Sequence, residues 1–385
     1  MFANLGGGRE TLKIDRHRKP YCVVVGGLNL DIQAFCSFDY RPEDSNPGQI
    51  HRSLGGVGRN IAENLVRLGL DVELITVVGD SSSWDGLVSR TEKLGISLAH
   101  SLRIKEAPLS VYLCILDRDG NLMGAVADMR AIEKMQVNQL KAQKSLFDYA
   151  EAIVVDGNIP KDCIEWIAEN YGVLEDEKKP HISSIKQKSQ EPDAISRPLL
   201  IADPVSTKKS EKFVSCFGKF DIAKPNVSES ARIAGLEENA SIEEIALSLR
   251  KKSLLPKELY ISKGTEGISF IDREIIEHIP LNSFKLCPHV INRSGAGDAA
   301  CAALVWISLL ERRLKEKYGD SSWSISPRDK AKLALSSALY ASSSNRPVNP
   351  HLNQRNLFET TRICYPETSK LIGELINAIQ TENHK

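Results

Sequence analysis

The residues best suited to chemistry lie late in the chain, in Asn292-Arg293-Ser294-Gly295-Ala296-Gly297-Asp298, just ahead of a helical apolar run from Ala299 to Trp306. Small residues at a helix start leave the first-turn N–H groups bare, and the helix dipole adds about 0.3–1 kcal/mol in favour of an anion there. Gly295, Ala296 and Gly297 therefore suit the cradling of a charged oxygen. Asp298 stands in the same turn, where a carboxylate would repel a passively bound phosphate. It suits a base that takes the proton from a hydroxyl attacking a phosphoryl group. The segment also reads as an ordinary helix start, with glycines for the turn and Asp as its cap. Spacing alone leaves both readings open.

Four further segments bring bare backbone or polar side chains to places a ligand can reach. Ser262-Lys263-Gly264-Thr265-Glu266-Gly267 lies between two strand-like runs, so Gly264 and Gly267 either admit a ligand close to the backbone or simply turn the chain. Lys224-Pro225-Asn226-Val227-Ser228-Glu229 follows the short strand Asp221 to Ala223 and opens a helix, with Asn226 and Glu229 spaced as a capping box. Asn29 and Asp31 stand just past the first strand, where open parallel sheets bind ligands, and an amide beside a carboxylate can bond vicinal sugar hydroxyls. Leu54-Gly55-Gly56-Val57-Gly58-Arg59-Asn60 sets bare backbone beside a cation and an amide at another helix start. Its glycine spacing matches neither the dinucleotide fingerprint nor the Walker A loop, which sets aside those two chemistries.

A scaffold that positions such segments is legible in the patterning. Tyr21 followed by Cys22-Val23-Val24-Val25 and Gly26-Gly27 reads as a buried strand, Val57 to Leu68 as a helix stopped by Gly69, Val72 to Val78 as a strand, and Trp84 to Leu94 as a helix. The alternation continues through Ala152 to Val155, Cys163 to Ala168, Leu199 to Ala202, Ile242 to Leu249 and Leu259 to Ser262. Strands separated by helices imply an α/β fold, a mainly parallel sheet covered on both faces. Leu30 to Tyr40 with Gln49 to Leu54, and Ser110 to Leu116 with Leu122 to Ala127, lack an intervening helix and predict a small antiparallel sheet. It would lie over the core as a lid or pair with a second subunit.

The expected organisation is a flexible leader over 1–20 and a single domain over 21–385, with lid strands from about 30–54 and 110–128 and a disordered insertion at about 175–198. Equal numbers of basic and acidic residues, 50 of each, argue against nucleic acid or an anionic membrane as partner. No apolar run approaches the roughly 20 residues of a membrane span. Eight singly spaced cysteines read as reduced structural thiols of an intracellular protein, in cytosol or peroxisome.

In this order GGLNLD, GGVGRN, KPNVSE, SKGTEG and GAGD resemble the ribokinase-like (PfkB-type) family of sugar and nucleoside kinases over about residues 21–350. The resemblance implies a three-layer α/β/α fold with a small β lid, and transfer of a phosphoryl group from ATP with Mg²⁺. Asp298 would be the base, with Gly295, Ala296 and Gly297 holding the transferring phosphoryl charge. Asp31 and Asn60 match ribose-hydroxyl ligands, and Asn29, Gly55 and Gly56 line the same pocket. Asn226 and Glu229 match an element that organises Mg²⁺ through water. Lys224, Asn226, Ser262, Gly264 and Gly267 fall to the ATP side, and the lid implies a homodimer. Within the family, Leu54 to Leu65, Ala127-Asp128-Met129 and Ala202-Asp203-Pro204-Val205-Ser206 resemble the pseudouridine kinase branch, which implies the 5′-hydroxyl of pseudouridine as acceptor.

Other members accept other nucleosides or sugars, such as adenosine, ribose or fructose, and a silent nucleoside-binding protein could keep the fold. Val57 stands where ribokinases commonly carry a lysine. Asn292 and Ser294 stand where many members carry an acidic residue and a threonine, so K⁺ dependence is open. Arg59 reads as a substrate or phosphate contact or as a surface salt-bridge partner. Tyr112 either stacks on a base or packs between strands, and Asp128 is a candidate acceptor for a base edge.

Overall fold

The computed structural model describes residues 20–173, 197–282, 293–319 and 323–383. The leader up to residue 19, the insertion up to residue 196, Cys287 and Asn292 lie outside the described residues. The chain opens with β1 (Tyr21–Val25), β2 (Asn29–Cys36), β3 (Gly48–Gly55), α1 (Val57–Arg67), β4 (Asp71–Ile75), β5 (Val77–Val78) and α2 (Ser82–Glu92). Then come β6 (Ile96–Ser97), β7 (Leu102–Arg103), β8 (Val111–Leu116), β9 (Leu122–Asp128), α3 (Val137–Lys141), α4 (Lys144–Asp148), β10 (Ala152–Asp156) and α5 (Lys161–Tyr171). The second half holds β11 (Leu199–Asp203), α6 (Thr207–Ser210), β12 (Ile222–Ala223), α7 (Val227–Ala234), α8 (Ile242–Lys251), β13 (Glu258–Ser262), β14 (Gly267–Ile271) and β15 (Ile276–Pro280). Four helices follow: α9 (Ala296–Tyr318), α10 (Pro327–Ser342), α11 (Gln354–Cys364) and α12 (Ser369–Asn383).

The main sheet runs β15-β14-β13-β12-β11-β10-β1-β4-β6, parallel from β6 to β13 and antiparallel beyond. Its central strands are continuous apolar runs: Val23–Val25, Ile153–Val155 and Leu200–Ala202 are fully buried, as a sheet covered on both faces requires. The helices supply those covers and make the three-layer α/β/α architecture that the alternating pattern predicts. The chain winds from β1 toward β4 and β6 on one side and from β10 toward β13 on the other. Winding reverses between β1 and β10, and such a reversal opens a crevice beyond the carboxyl ends of the strands.

The small sheet has the order β3-β2-β8-β9. β2–β3 and β8–β9 are antiparallel as expected, and the central pairing of β2 with β8 is parallel. Register gives it two unlike faces, because side chains alternate along each strand. Asp31 aligns with Ser53 and Tyr112, and Tyr112 with Ala127, so these share one face. Ile50, Leu113 and Val126 share the other, where Ile50 and Val126 are 64% and 67% exposed. The strand expected over Val72–Val78 is divided. At Thr76 the backbone turns its bonds to the next segment, with Leu102 N–H donating to Thr76 O, and β5 pairs with β7 outside the main sheet.

Candidate active site

Gly295 starts α9 with φ 80°, and a Cβ there would lie 1.8 Å from the carbonyl oxygen of Pro347. Glycine is what lets the loop before residue 348 close onto this helix end. The N–H groups of Gly297 and Asp298 have no partner among the described residues. They are the orphan donors of a first turn, available to an anion. Asp298 is not the cap of its helix: among the described residues no side chain caps α9, and its carboxylate instead accepts from Asn60 Nδ2 at 2.8 Å. That removes the simple cap reading. The Asp298 pKa is raised to about 7 by burial and by the charge of Asp203, against the pull of the Asn60 hydrogen bond and Lys224.

Asn60 is held in turn by Arg59, whose guanidinium donates to Asn60 Oδ1 at 2.6 Å and to Leu54 O at 3.0 Å, and pairs with Glu63. Arg59 is 2% exposed, so the surface salt bridge expected for it is instead a buried one, and its bonds go to the protein. An amphipathic α1 turns Ile61 and Leu65 to the core, as does Leu68 just past its end, which leaves Arg59, Glu63 and Arg67 on another face, joined by ion pairs. Asp31 accepts from Asn29 Nδ2 at 2.5 Å. A Cβ on Gly55 would lie 2.2 Å from that carboxylate, so the glycine makes room for it. Burial raises the Asp31 pKa to about 6, countered by the Asn29 bond and by Arg59.

Two carboxylates not singled out as site residues from sequence hold this arrangement together. Asp156, at the end of β10, is fully buried and accepts the N–H groups of Gly27 at 2.8 Å and Gly58 at 2.7 Å, as well as both nitrogens of Asn158. It ties the two glycine segments at the winding reversal. Asp203, aligned with it on β11, faces Lys224 Nζ at 3.4 Å. Burial works against the charge on Lys224, yet Asp203, Glu229 and Asp298 keep its ammonium protonated. Lys224 Nζ lies 3.4 Å from where a Cβ on Gly297 would stand, beside the orphan donors. An acidic residue closing an otherwise apolar strand was the signal available for both carboxylates.

On the other flank Asn226 caps α7 in a reciprocal box: Glu229 N–H donates to Asn226 Oδ1, and Asn226 N–H and Nδ2 donate to the Glu229 carboxylate. Both the capping geometry and the strand end position Glu229, whose pKa is raised by burial and by Asp203. Ser262 N–H and Oγ both donate to Pro225 O, and a bridge pairs Asn226 with Ser262, so two sequence-predicted segments meet. Gly264 and Gly267 have φ of 58° and 121° in the turn that follows. Among the described residues no cluster of three metal-ligating side chains forms. The oxygen-rich set of Asp203, Asn226 and Glu229 fits a hard cation held through water and substrate phosphates rather than a protein cage.

Tyr112 lies beside Asp31 in register, half-buried on the same face. Asp128 is not brought to that group. It aligns with Val111 on the opposite face, and its carboxylate pairs with Arg130 at 2.6 Å, which holds its pKa low. Period-two alternation is the reason: one residue past Ala127 the side chain changes face.

A doubly wound α/β sheet, a small sheet beside its winding reversal and a buried carboxylate at a helix end with unpartnered N–H groups are the features that make this site. Residues 19–316 match the pfkB family carbohydrate kinases, and the chain belongs to that family. Over 293 residues it is 29% identical to a pseudouridine kinase of Escherichia coli (strain K12), covering 75% of this chain and 84% of that one. It is 36% identical over 149 residues to a sugar kinase of the same organism described as uncharacterized, YeiI, a match spanning 39% of this chain and 41% of that protein. Among solved structures, a ribokinase of Giardia lamblia superposes with TM-score 0.69 at 17% identity, covering 89% of this chain and 99% of that one. A putative sugar kinase of Clostridium perfringens gives 0.68 at 24%, covering 90% and 96%. These two likenesses concern the fold.

Proposed function

We propose that this chain is an ATP-dependent kinase that phosphorylates the 5′-hydroxyl of pseudouridine, giving pseudouridine 5′-phosphate and ADP. The observation that carries phosphoryl transfer is the Asp298 carboxylate, held by Asn60 in the same turn as unpartnered N–H groups and close to a buried ammonium. The similarity to a pseudouridine kinase over three quarters of the chain supports the acceptor. In this reading Asp31 and Asn60, with Asn29, Gly55 and Gly56, bind the ribose hydroxyls and orient the 5′-oxygen. Asp298 takes the proton from that oxygen as it bonds to the γ-phosphorus, and the bond to the ADP oxygen breaks. Gly295, Ala296, Gly297 and Lys224 hold the charge on the moving phosphoryl group, where preorganised donors act most strongly. Asn226, Ser262, Gly264 and Gly267 take the nucleotide. Asn226 and Glu229 would hold Mg²⁺ through water, and the ion would supply charge neutralisation of the phosphates when bound. The small sheet closes over the acceptor and excludes water, which would otherwise compete as acceptor.

The test is phosphate transfer from ATP and Mg²⁺ to a panel of pseudouridine, uridine, adenosine, guanosine, ribose and fructose, with and without K⁺. Pseudouridine is expected to show the highest kcat/KM. Preference for another compound would replace the acceptor and leave the kinase reading standing. Ligand-induced thermal stabilisation with no transfer to any of them would favour a silent nucleoside-binding protein.

A further inference from the structure

A cavity of about 450 Å³ lies at the seam between the small sheet and the body. Arg52 of β3, Arg59 and Arg67 of α1, Arg90 and Lys93 at the end of α2, and Arg346 line it, with Glu63 as the one carboxylate among the described residues. Glu63 is already taken, since it pairs with both Arg59 and Arg67. Arg52, Arg90, Lys93 and Arg346 make no ion pair among the described residues. In a chain whose formal charge is zero, six cations against one carboxylate in one cavity are a strong local field. Clefts of one sign concentrate the opposite ion.

A second observation points to a ligand. Arg59 lines this cavity while 2% exposed; its Nη atoms bond the protein, and its buried Nε has no hydrogen-bond partner among the described residues. An unmet donor on a buried guanidinium is costly and adds to the positive field of the cavity. The guanidinium groups of Arg52, Arg90 and Arg346, which make no ion pair among the described residues, are the ones able to match the oxygens of a phosphate in a paired geometry. The volume exceeds what inorganic phosphate needs and falls in the range of small-molecule sites.

We propose that this cavity binds a phosphate-bearing small molecule of the phosphomonoester class, at a site separate from the reacting centre. The occupant bridges β3 to the body and so favours the closed position of the small sheet. It also touches the chain of contacts that ends at Asp298, because Arg59 holds Asn60 and Asn60 holds the base. The proposal does not depend on which acceptor is phosphorylated.

Equilibrium dialysis with labelled inorganic phosphate, at ionic strength held constant with chloride, tests it. The start of α9 is expected to take one equivalent and this cavity a second. Wild type should bind two equivalents. The R90E/R346E variant should bind one, its second affinity falling at least about tenfold, the loss of one charged hydrogen bond. R90A/R346A should show the same loss with less disturbance of the surface, and turnover in phosphate-free buffer checks that both variants fold. Equal phosphate binding by wild type and either folded variant would overturn the proposal.

Discussion

At the scale of the residue, Asp298, the proposed base, is caught between two demands. A base must be charged to act, and burial opposes its charge. With its pKa raised to about 7, kcat/KM is expected to rise as pH increases through that value and to fall below it. A profile flat from pH 5 to about 8 would assign the proton to another group. Asp298→Asn should lower kcat by about 10²–10⁴-fold and leave nucleoside binding largely intact, as titration calorimetry beside turnover would read. Linkage gives the same residue an opposite effect on stability. Its folded pKa lies above the ordinary 3.8, so the folded chain binds the extra proton between those values and loses stability as pH rises from 3.8 to about 7. Asparagine keeps an acceptor for Asn60 Nδ2 and never becomes charged. The D298N variant should therefore be more resistant to urea than wild type above pH 7, with the advantage fading toward pH 4. An advantage independent of pH would disconnect it from this carboxyl.

At the scale of the element, the site depends on strand ends that hold glycine turns. Asp156→Ala would orphan the N–H groups of Gly27 and Gly58 and two donors of Asn158. At about 1–3 kcal/mol for each buried unmet donor, a loss of about 3 kcal/mol or more is expected. An unchanged urea midpoint would mean that Asp156 does not pin these turns. Much of the architecture was readable because long apolar runs and glycine stops are local signals: β1, β10, β11, α1 and α8 fall where the patterns put them. The pairing of Asn226 with Glu229 was readable too, being a local spacing. The bonds from Asp156 to Gly27 and Gly58 cross 129 and 98 residues, and no local pattern records them. Arg59 misleads for a related reason: a charged residue at a helix start looks solvated until Glu63 and the carbonyl of Leu54 are seen to enclose it. Asp128 was misplaced by alternation, where a single residue decides the face.

At the scale of the whole molecule, a neutral chain leaves association to surface shape and apolar area. The outward face of the small sheet exposes Ile50, Leu113 and Val126, and apolar patches of this kind mark contact sites. We propose a second copy as its occupant, so Val126→Asp should shift sedimentation equilibrium toward monomer. Wild type that is monomeric at high concentration would exclude this pairing. The hydrogen bond from Asn60 to Asp298 spans 238 residues. A ribosome adding about 5–20 residues per second needs tens of seconds to travel from one to the other. Midway through that interval the emerging chain carries β1, α1 and the whole small sheet, the proposed acceptor side of the site, while Asp298, the proposed base, has not yet been synthesised. On the proposed reading the nascent chain is inert as a kinase until about its last quarter arrives, and a chain cut short before α9 would hold the acceptor's ribose ligands without the base.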